Sequence, residues 1–308
     1  MKMIPKVLVL MSVYNGGKYL AVQLESIASQ EGIDVSLYIR DDGSKDNSET
    51  IIREYAEKLS IFYYRENNIG PAGSFMRLIE LAEDKYDYYA FSDQDDFWEK
   101  DKLYTAVRQL KDEHKRPALY YSNTKRVGQN LEEIAEPYKK VYHTEDFPDV
   151  LILTEAPGCT MVFNKSLLIL LKRYIPNSVY MHDHWTLQVC AAVGGTVVYD
   201  AEPHILYRQH VNNVMAGLEK MNYNPVQLFL HRIQKFFDFS YKASVIAEEL
   251  KKGYFELMDQ RNRKFVQMVS DAPKCLKYRV YMVLTNKIST PYFVHNVRWK
   301  LQVLLNKL

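Results

Sequence analysis

Continuous apolar runs alternate with amphipathic stretches along the N-terminal third of the chain. The runs cover residues 7–13, 35–39, 61–64 and 86–91, and such runs are typical of strands in a sheet that is buried on both faces. Between them, residues 19–29, 49–59 and 73–82 place apolar side chains at the spacing of one helix face. This alternation predicts an α/β fold with a parallel sheet and right-handed crossover connections.

The pattern becomes less regular after a further helix predicted at residues 99–110. Strands are predicted at 118–122 and 196–200, a small-residue turn that runs into an apolar strand at 155–163, and helices at 166–173 and 182–192. The polar stretch 123–141 is expected to line the mouth of a site. From residue 224 onward only helical stripes appear, which predicts a separate helical region at 224–308.

Polar clusters follow each of the first four predicted strands. They are Tyr14-Asn15, Asp41-Asp42, Asn67-Asn68 and the segment Ser92-Asp93-Gln94-Asp95-Asp96-Phe97-Trp98. Ligands of open α/β sheets bind at the carboxyl ends of the strands, so four loops are expected to converge on one nucleotide-type site. No G-x-G-x-x-G or G-x-x-x-x-G-K-[ST] motif occurs, which disfavours a dinucleotide dehydrogenase or a P-loop enzyme.

The acidic cluster after the fourth strand has two interpretations. Asp93, Asp95 and Asp96 repel one another, and a divalent cation that bridges a phosphate would offset that repulsion. In the simpler interpretation, Asp95 and Asp96 belong to an acidic loop that caps the following helix.

Two later segments also contain groups capable of chemistry. His182-Asp183-His184-Trp185 opens a helix, where Asp183 is either an N-cap carboxylate or a functional acid. The segment 206–213 places Arg208, His210 and Asn213 where they could fold back to the edge of the sheet, although a single histidine is usually structural. Gly158 and Cys159 are small enough to let a ligand approach, or simply to form a tight turn.

Charge divides the chain into two regions. Residues 224–308 contain 15 Lys and Arg against 6 Asp and Glu, and no acidic residue follows Asp271. This region is expected either to pack on the catalytic domain or to contact an anionic membrane surface. Three dispersed cysteines predict a reduced, cytoplasmic setting. We expect neither a signal peptide nor a membrane-spanning helix, which predicts a protein that is soluble or peripheral at the membrane. No nucleic-acid partner is expected.

Four motifs in order resemble the inverting, metal-dependent family 2 glycosyltransferases of the GT-A fold. They are Ser12-Val13-Tyr14-Asn15-Gly16, Arg40-Asp41-Asp42-Gly43-Ser44-Lys45-Asp46, Asn68-Ile69-Gly70 and the segment 92–98. The segments 182–185 and 207–214 resemble, more narrowly, bacterial rhamnosyltransferases that build cell-wall, capsule and O-antigen polysaccharides. The resemblance implies a mixed, mostly parallel sheet flanked by helices, with a catalytic domain at 1–223. Its nucleotide-sugar half would end near residue 115, and its acceptor half would cover 116–223.

The resemblance also implies roles for individual residues. Tyr14 would line the base pocket, Asp42 with Asp41 would accept from a pyrimidine, and Asp93 would lie on the ribose side. Asp95 and His210 would hold Mg²⁺ or Mn²⁺, and Asp183 would be the catalytic base. Asp96 is left as a candidate helix cap. The other nucleotide-sugar contacts would be Val13, Asn15, Asn68, Gly70, Gln94 and Arg208. The acceptor side would include Trp98, Gly158, Cys159, His182 and Trp185.

These roles predict transfer of one sugar from a nucleotide-diphospho-sugar to a hydroxyl of a saccharide acceptor, with inversion. The favoured donor is dTDP-rhamnose, with a UDP-hexose as the alternative, and the acceptor is expected to be lipid-linked. The Q-x-x-R-W motif of processive synthases is absent, which favours single transfers. Two other classes stay open, namely a sugar nucleotidyltransferase and a non-catalytic scaffold for polysaccharide assembly.

Overall fold

A seven-stranded sheet forms the centre of the computed structural model, which describes residues 4–113, 115–134, 146–154, 156–210, 234 and 241–308. The strand order is β3-β2-β1-β4-β8-β6-β9, and only β8 runs antiparallel to its neighbours. The strands are β1 (Lys6–Val13), β2 (Asp34–Asp41), β3 (Ser60–Arg65), β4 (Tyr88–Ser92), β6 (Ala118–Ser122), β8 (Val162–Asn164) and β9 (Thr196–Asp200). The predicted mixed, mostly parallel sheet is confirmed.

Helices cover this sheet and bury it. They are α1 (Leu20–Ala28), α2 (Ser48–Tyr55), α3 (Gly70–Leu81), α4 (Lys102–Leu110), α5 (Lys165–Arg173) and α6 (His182–Ala192). Strand β1 lies between β2 and β4, with Val9 in register with both Leu37 and Ala90. Its central residues are buried, which is why its sequence is one continuous apolar run.

A second, three-stranded sheet was not predicted. It has the order β5-β10-β7, formed by β5 (Phe97–Trp98), β10 (Ile205–Arg208) and β7 (Lys125–Val127). Strands of two to four residues are too short to show a period-2 pattern, and their pairing partners lie far away in sequence. The small sheet returns the 205–208 segment to the end of β4.

Strand β5 also corrects the prediction for the following helix. Helix α4 starts at Lys102 rather than Glu99, because residues 97–98 pair with β10 and the Glu99 amide donates to the His204 carbonyl at 3.0 Å. Asp101 occupies the N-cap position of α4 and makes no side-chain capping bond. The interpretation of Asp95 and Asp96 as helix caps is therefore wrong.

Four helices form the described C-terminal region, and the first two pack against α6. They are α7 (Ala243–Tyr254), α8 (Gln260–Asp271), α9 (Leu276–Leu284) and α10 (Phe293–Leu304). The ring centroids of Trp185 and Tyr254 are 5.9 Å apart, and the Asn262 side-chain amide donates to the Ala192 carbonyl at 3.0 Å. The predicted boundary at residues 223 and 224 lies outside the described residues, as does Asn213. Among the described helices, none combines the length and apolarity needed to cross a membrane.

Candidate active site

The loops after β1 and β4 are tied together by Gln94. Its side-chain oxygen accepts from the Tyr14 amide at 2.9 Å, and its side-chain nitrogen donates to the Tyr14 carbonyl at 3.1 Å. A Cβ atom at Gly16 would lie 2.4 Å from the same side-chain oxygen, so a larger residue there would displace the Gln94 side chain. Val13 is buried beneath this loop, whereas the Tyr14 side chain is 47% exposed at the edge of the sheet.

The loops after β1 and β2 are joined through Asn15. This residue has a φ of 48°, its amide donates to the Ser44 hydroxyl at 2.9 Å, and its side-chain oxygen accepts from the Lys45 amide at 2.8 Å. Asn and Asp tolerate such left-handed conformations better than most residues.

Asp41 and Asp42 hold the neighbouring loops in place. Asp41 accepts from the Ser44 amide at 2.7 Å. Asp42 is buried, pairs with Arg40, and accepts from the amides of Ile69 at 2.8 Å and Gly70 at 3.0 Å. The Asn68 side chain accepts from the same Gly70 amide at 3.2 Å, and Gly70 has a φ of 76°. Asp42, Asn68 and Gly70 therefore belong to one hydrogen-bonded unit, and Asp41 holds the adjacent turn at Ser44.

The three carboxylates after β4 point to different partners. Asp95 Oδ2 lies 2.6 Å from His210 Nε2. Asp96 is completely buried and accepts from the Arg208 amide at 3.3 Å. Asp93, Asp96 and Cys159 bring one ligand atom each within 4.8 Å of one another. Burial, followed by the negative charges of Asp95 and Asp183, raises the pKa of Asp93 to about 7.

Strand β10 supplies the basic side of this cluster. The Arg208 side-chain Nε donates to the Asp95 carbonyl at 2.6 Å, and a second guanidinium nitrogen donates to the Gln129 carbonyl. The guanidinium carbon lies 4.5 Å from the centre of the Tyr19 ring, and the His210 ring stacks on the same tyrosine at 5.0 Å. Tyr19 and Gln129 were not predicted.

Asp183 lies in the first turn of α6, next to the turn that contains Gly158. Met181, not Asp183, occupies the N-cap position, so the capping interpretation of Asp183 is wrong. Its Oδ2 accepts from the Gly158 amide at 3.1 Å, and its Oδ1 accepts from the His184 amide at 2.8 Å. Its charge also contributes to the raised pKa of Asp93, so the two carboxylates lie close enough to interact electrostatically.

All five acceptor-side candidates are buried. His182 stacks on Phe75 with ring centroids 3.8 Å apart, and burial lowers its pKa to about 4, so it is neutral near pH 7. Trp98 and Trp185 are core residues, and Cys159 is buried beside Asp96. The expectation that the two tryptophans contact an acceptor is therefore corrected, because packing encloses both rings. Gly158 remains beside Asp183.

Comparison with known proteins identifies the family. The model of glycosyl transferase family 2 matches residues 8–170. The chain is 32% identical over 268 residues to the dTDP-rhamnosyl transferase RfbG of Shigella flexneri, which covers 79% of this chain and 89% of that protein. The chain belongs to glycosyl transferase family 2. This family 2 protein is therefore a glycosyltransferase.

Other relatives of the family 2 chain agree with its fold. Over 102 residues it is 33% identical to TuaG of Bacillus subtilis, described as a putative teichuronic acid biosynthesis glycosyltransferase, which covers 32% of this chain and 39% of that protein. The structure of S. aureus TarS 1–349 in complex with UDP-GlcNAc matches 97% of this chain and 81% of that one, with a TM-score of 0.58 and 17% identity. The GT-A fold is confirmed.

Beneath the acidic cluster, the family 2 chain buries a lysine that was not predicted. Lys102 Nζ lies 3.6 Å from the centre of the Trp98 ring, and burial lowers the pKa of Lys102 to about 7. Lys102, Ala106 and Leu110 follow one another at four-residue spacing on the buried face of α4. That spacing is the sequence signal that could have identified a buried lysine.

The donor set of the family 2 site fits a hard divalent cation at Asp95. Carboxylate oxygens suit Mg²⁺ and Mn²⁺, and His210 Nε2 already lies next to the Asp95 carboxylate. The neighbouring group of Asp93, Asp96 and Cys159 is less suitable, because a thiol favours softer metals and the Asp96 carboxylate already binds the Arg208 amide.

Proposed function

We propose that this glycosyltransferase transfers one rhamnose from dTDP-rhamnose to a hydroxyl of a lipid-linked saccharide, with inversion at the anomeric carbon. The observation that carries the proposal is the electrostatic interaction between Asp183 and Asp93, which belong to different elements. Asp93 and Asp95 follow β4, whereas Asp183 opens α6. The name of the relative RfbG supports rhamnose as the transferred sugar.

The donor would bind at the ends of β1, β2 and β4. The exposed Tyr14 ring is available to stack on a nucleotide base. The loops of Asp41, Asp42 and Asn68 border the same edge of the sheet, and Asp93 would lie on the ribose side. TarS was crystallised with UDP-GlcNAc, which supports a nucleotide-sugar as the ligand of this fold.

Asp95 and His210 would hold Mg²⁺ or Mn²⁺. When bound, the ion supplies positive charge next to the donor diphosphate, whose negative charge grows as the sugar leaves. Arg208 orients the Asp95 backbone through its hydrogen bond to the carbonyl. Tyr19 orients both basic residues by stacking.

Asp183 would act as the general base. The acceptor oxygen forms a bond to the anomeric carbon while its proton moves to the Asp183 carboxylate. The bond between that carbon and the diphosphate oxygen breaks, and its electron pair leaves with the nucleoside diphosphate. The hydrogen bonds from the amides of Gly158 and His184 hold the carboxylate in position. A single displacement of this kind inverts the configuration.

A donor panel tests this proposal. The purified protein would be given dTDP-rhamnose, UDP-glucose or UDP-N-acetylglucosamine with Mn²⁺, and nucleoside diphosphate release would be measured with and without a saccharide acceptor. Release from dTDP-rhamnose should exceed release from the other donors by at least about tenfold. Pyrophosphate release from a nucleoside triphosphate and a sugar phosphate would instead identify a nucleotidyltransferase. No turnover of any donor would favour a scaffold.

The variant Asp183→Asn tests the base. Loss of a general base lowers the rate by about 10²–10⁴-fold, while donor affinity measured by calorimetry should change little. Asp84→Asn, a change of an exposed aspartate away from these loops, is the matched control and should keep full activity. If Asp183→Asn retained full turnover, the assignment would be overturned.

A further inference from the structure

We propose that α9 and the start of α10 form a docking surface for an anionic lipid bilayer. The C-terminal apolar face, as we define it, consists of Leu276, Val280, Tyr281, Leu284 and Phe293. Leu276, Val280 and Leu284 recur every four residues along α9 and therefore lie on one side of the helix. All five side chains are exposed, Leu284 by 78% and Phe293 by 80%.

The opposite side of α9 already has its packing partners. Met282 on that side is buried in the core. A helix that packs on a domain through one side normally presents polar residues on the other side. Here the outward side is apolar instead, and contiguous exposed apolar surface marks an interaction site, unlike single exposed residues.

The charged residues within α9, α10 and the loop between them are all basic. Lys277 is exposed next to Leu276, and Lys287 Nζ lies 5.7 Å from the centre of the Tyr281 ring. The chain contains no Asp or Glu after Asp271. Lysines beside leucine, phenylalanine and tyrosine suit a bilayer surface, because the apolar groups enter the acyl boundary while the ammonium groups reach anionic headgroups.

The loop between α9 and α10 connects this surface to the catalytic helix. The Ser289 amide donates to the Asp149 carboxylate at 2.9 Å, and Ile288 is buried beside it. The neighbouring Val150 carbonyl accepts from Gln188 in α6 at 3.2 Å. Docking of the C-terminal apolar face would therefore hold α6, with Asp183, at a fixed position relative to the bilayer. This last step rests on the proposed function, because only a lipid-linked acceptor needs that placement.

Vesicle co-sedimentation of the full chain tests the surface without any turnover. Vesicles would contain phosphatidylcholine alone or mixed equally with phosphatidylglycerol. We expect binding to the anionic vesicles at least about tenfold tighter than to the neutral ones, and weaker binding as salt is raised. The double variant Leu284→Gln with Phe293→Gln should bind at least about tenfold more weakly, because two anchors are lost.

The matched control is Val22→Gln with Ile169→Gln. It replaces two exposed apolar residues of α1 and α5 and should bind vesicles like the unchanged protein. Equal vesicle binding by the two double variants would overturn the proposal, as would failure of the unchanged protein to bind. A dimer in solution that Leu284→Gln with Phe293→Gln converts to a monomer, without any vesicle binding, would assign the face to a second copy instead. Because donor hydrolysis is measured separately, failure of the surface and failure of the enzyme remain distinguishable.

Discussion

Burial controls the ionisation of side chains beneath the acidic cluster. Lys102 is fully enclosed below Asp96, against the face of Trp98. Transfer of an ammonium group out of water disfavours its charged form, and the cation–π contact offsets part of that loss. The pKa of Lys102 is lowered to about 7, so the residue changes charge near neutral pH.

Lys102→Met should stabilise the protein near pH 6 by about 1–3 kcal/mol, because it removes a poorly solvated charge. The folded pKa lies below the value of about 10.4 of an unfolded lysine. The unfolded state therefore binds more protons between these two values, and the stability of the unchanged protein rises with pH across that window. The advantage of the variant should shrink accordingly between pH 7 and pH 10.

Urea unfolding at several pH values measures this difference. Lys100→Met, at an exposed lysine two residues earlier, should shift stability by less than about 0.5 kcal/mol at every pH. A destabilised Lys102→Met would show that the charged lysine is a net stabilising group, and the prediction would fail.

Gly158 is the residue on which the position of Asp183 depends most directly. A Cβ atom there would lie 2.8 Å from His182 Nε2, and that buried ring is stacked on Phe75, so relieving the clash disturbs the packing around it. Gly158→Ala should therefore lower stability by about 1–3 kcal/mol and reduce kcat more than donor affinity.

The control for this change is Gly73→Ala in α3. Its new Cβ would meet only the flexible Ile69 side chain, at 3.3 Å, and alanine favours a helix. Unchanged kcat in Gly158→Ala would show that α6 can shift without loss of function.

At the scale of elements, the small β5-β10-β7 sheet positions the basic residues. Pairing of β10 with β5 and β7 places Arg208 and His210 above Tyr19, which precedes α1. The tyrosine ring is their shared support. Its removal would leave the His210 imidazole with more freedom next to Asp95.

Tyr19→Ala should weaken Mn²⁺ affinity by about tenfold, because outer contacts that orient a metal ligand contribute about 10–100-fold. Tyr19→Phe keeps the ring and should bind Mn²⁺ like the unchanged protein. Both affinities can be measured by calorimetry without donor or acceptor. Equal Mn²⁺ binding by Tyr19→Ala and Tyr19→Phe would rule out this role for the ring.

At the scale of the whole molecule, the C-terminal helices complete the core of the catalytic domain. Trp185 from α6, Tyr254 from α7, Val266 from α8 and Trp299 from α10 all belong to one buried cluster. The C-terminal helices differ from the rest of the chain in charge composition, but they share its buried core. We therefore expect the chain to unfold as one cooperative unit.

Trp185→Ala should lower the free energy of unfolding by about 3–5 kcal/mol and move the whole transition. Tyr254→Ala should act on the same transition, and the double variant should lose less than the sum, because the two rings are in contact. Tyr104→Ala, at an exposed tyrosine of α4, is the control. Two separate unfolding transitions would contradict the shared core.

The first four strands and the loops that follow them could be predicted from the local sequence. Each of these strands is a short apolar run, and each is joined to the next by a helix of clear periodicity. Because parallel strands end at one edge, Tyr14, Asp42, Asn68 and Asp93 could be expected near one another. The motifs within those loops also indicated the family.

Contacts between distant segments settled the rest. Asp95 and His210 are 115 residues apart, and Asp183 and Gly158 are 25 apart, so no local pattern encodes either pair. The same holds for the small sheet, whose strands are too short for a periodic signal. It also holds for Trp98 and Trp185, whose burial depends on α4 and α7. Packing between elements stabilises these positions. The sequence of one element does not specify which other element packs against it.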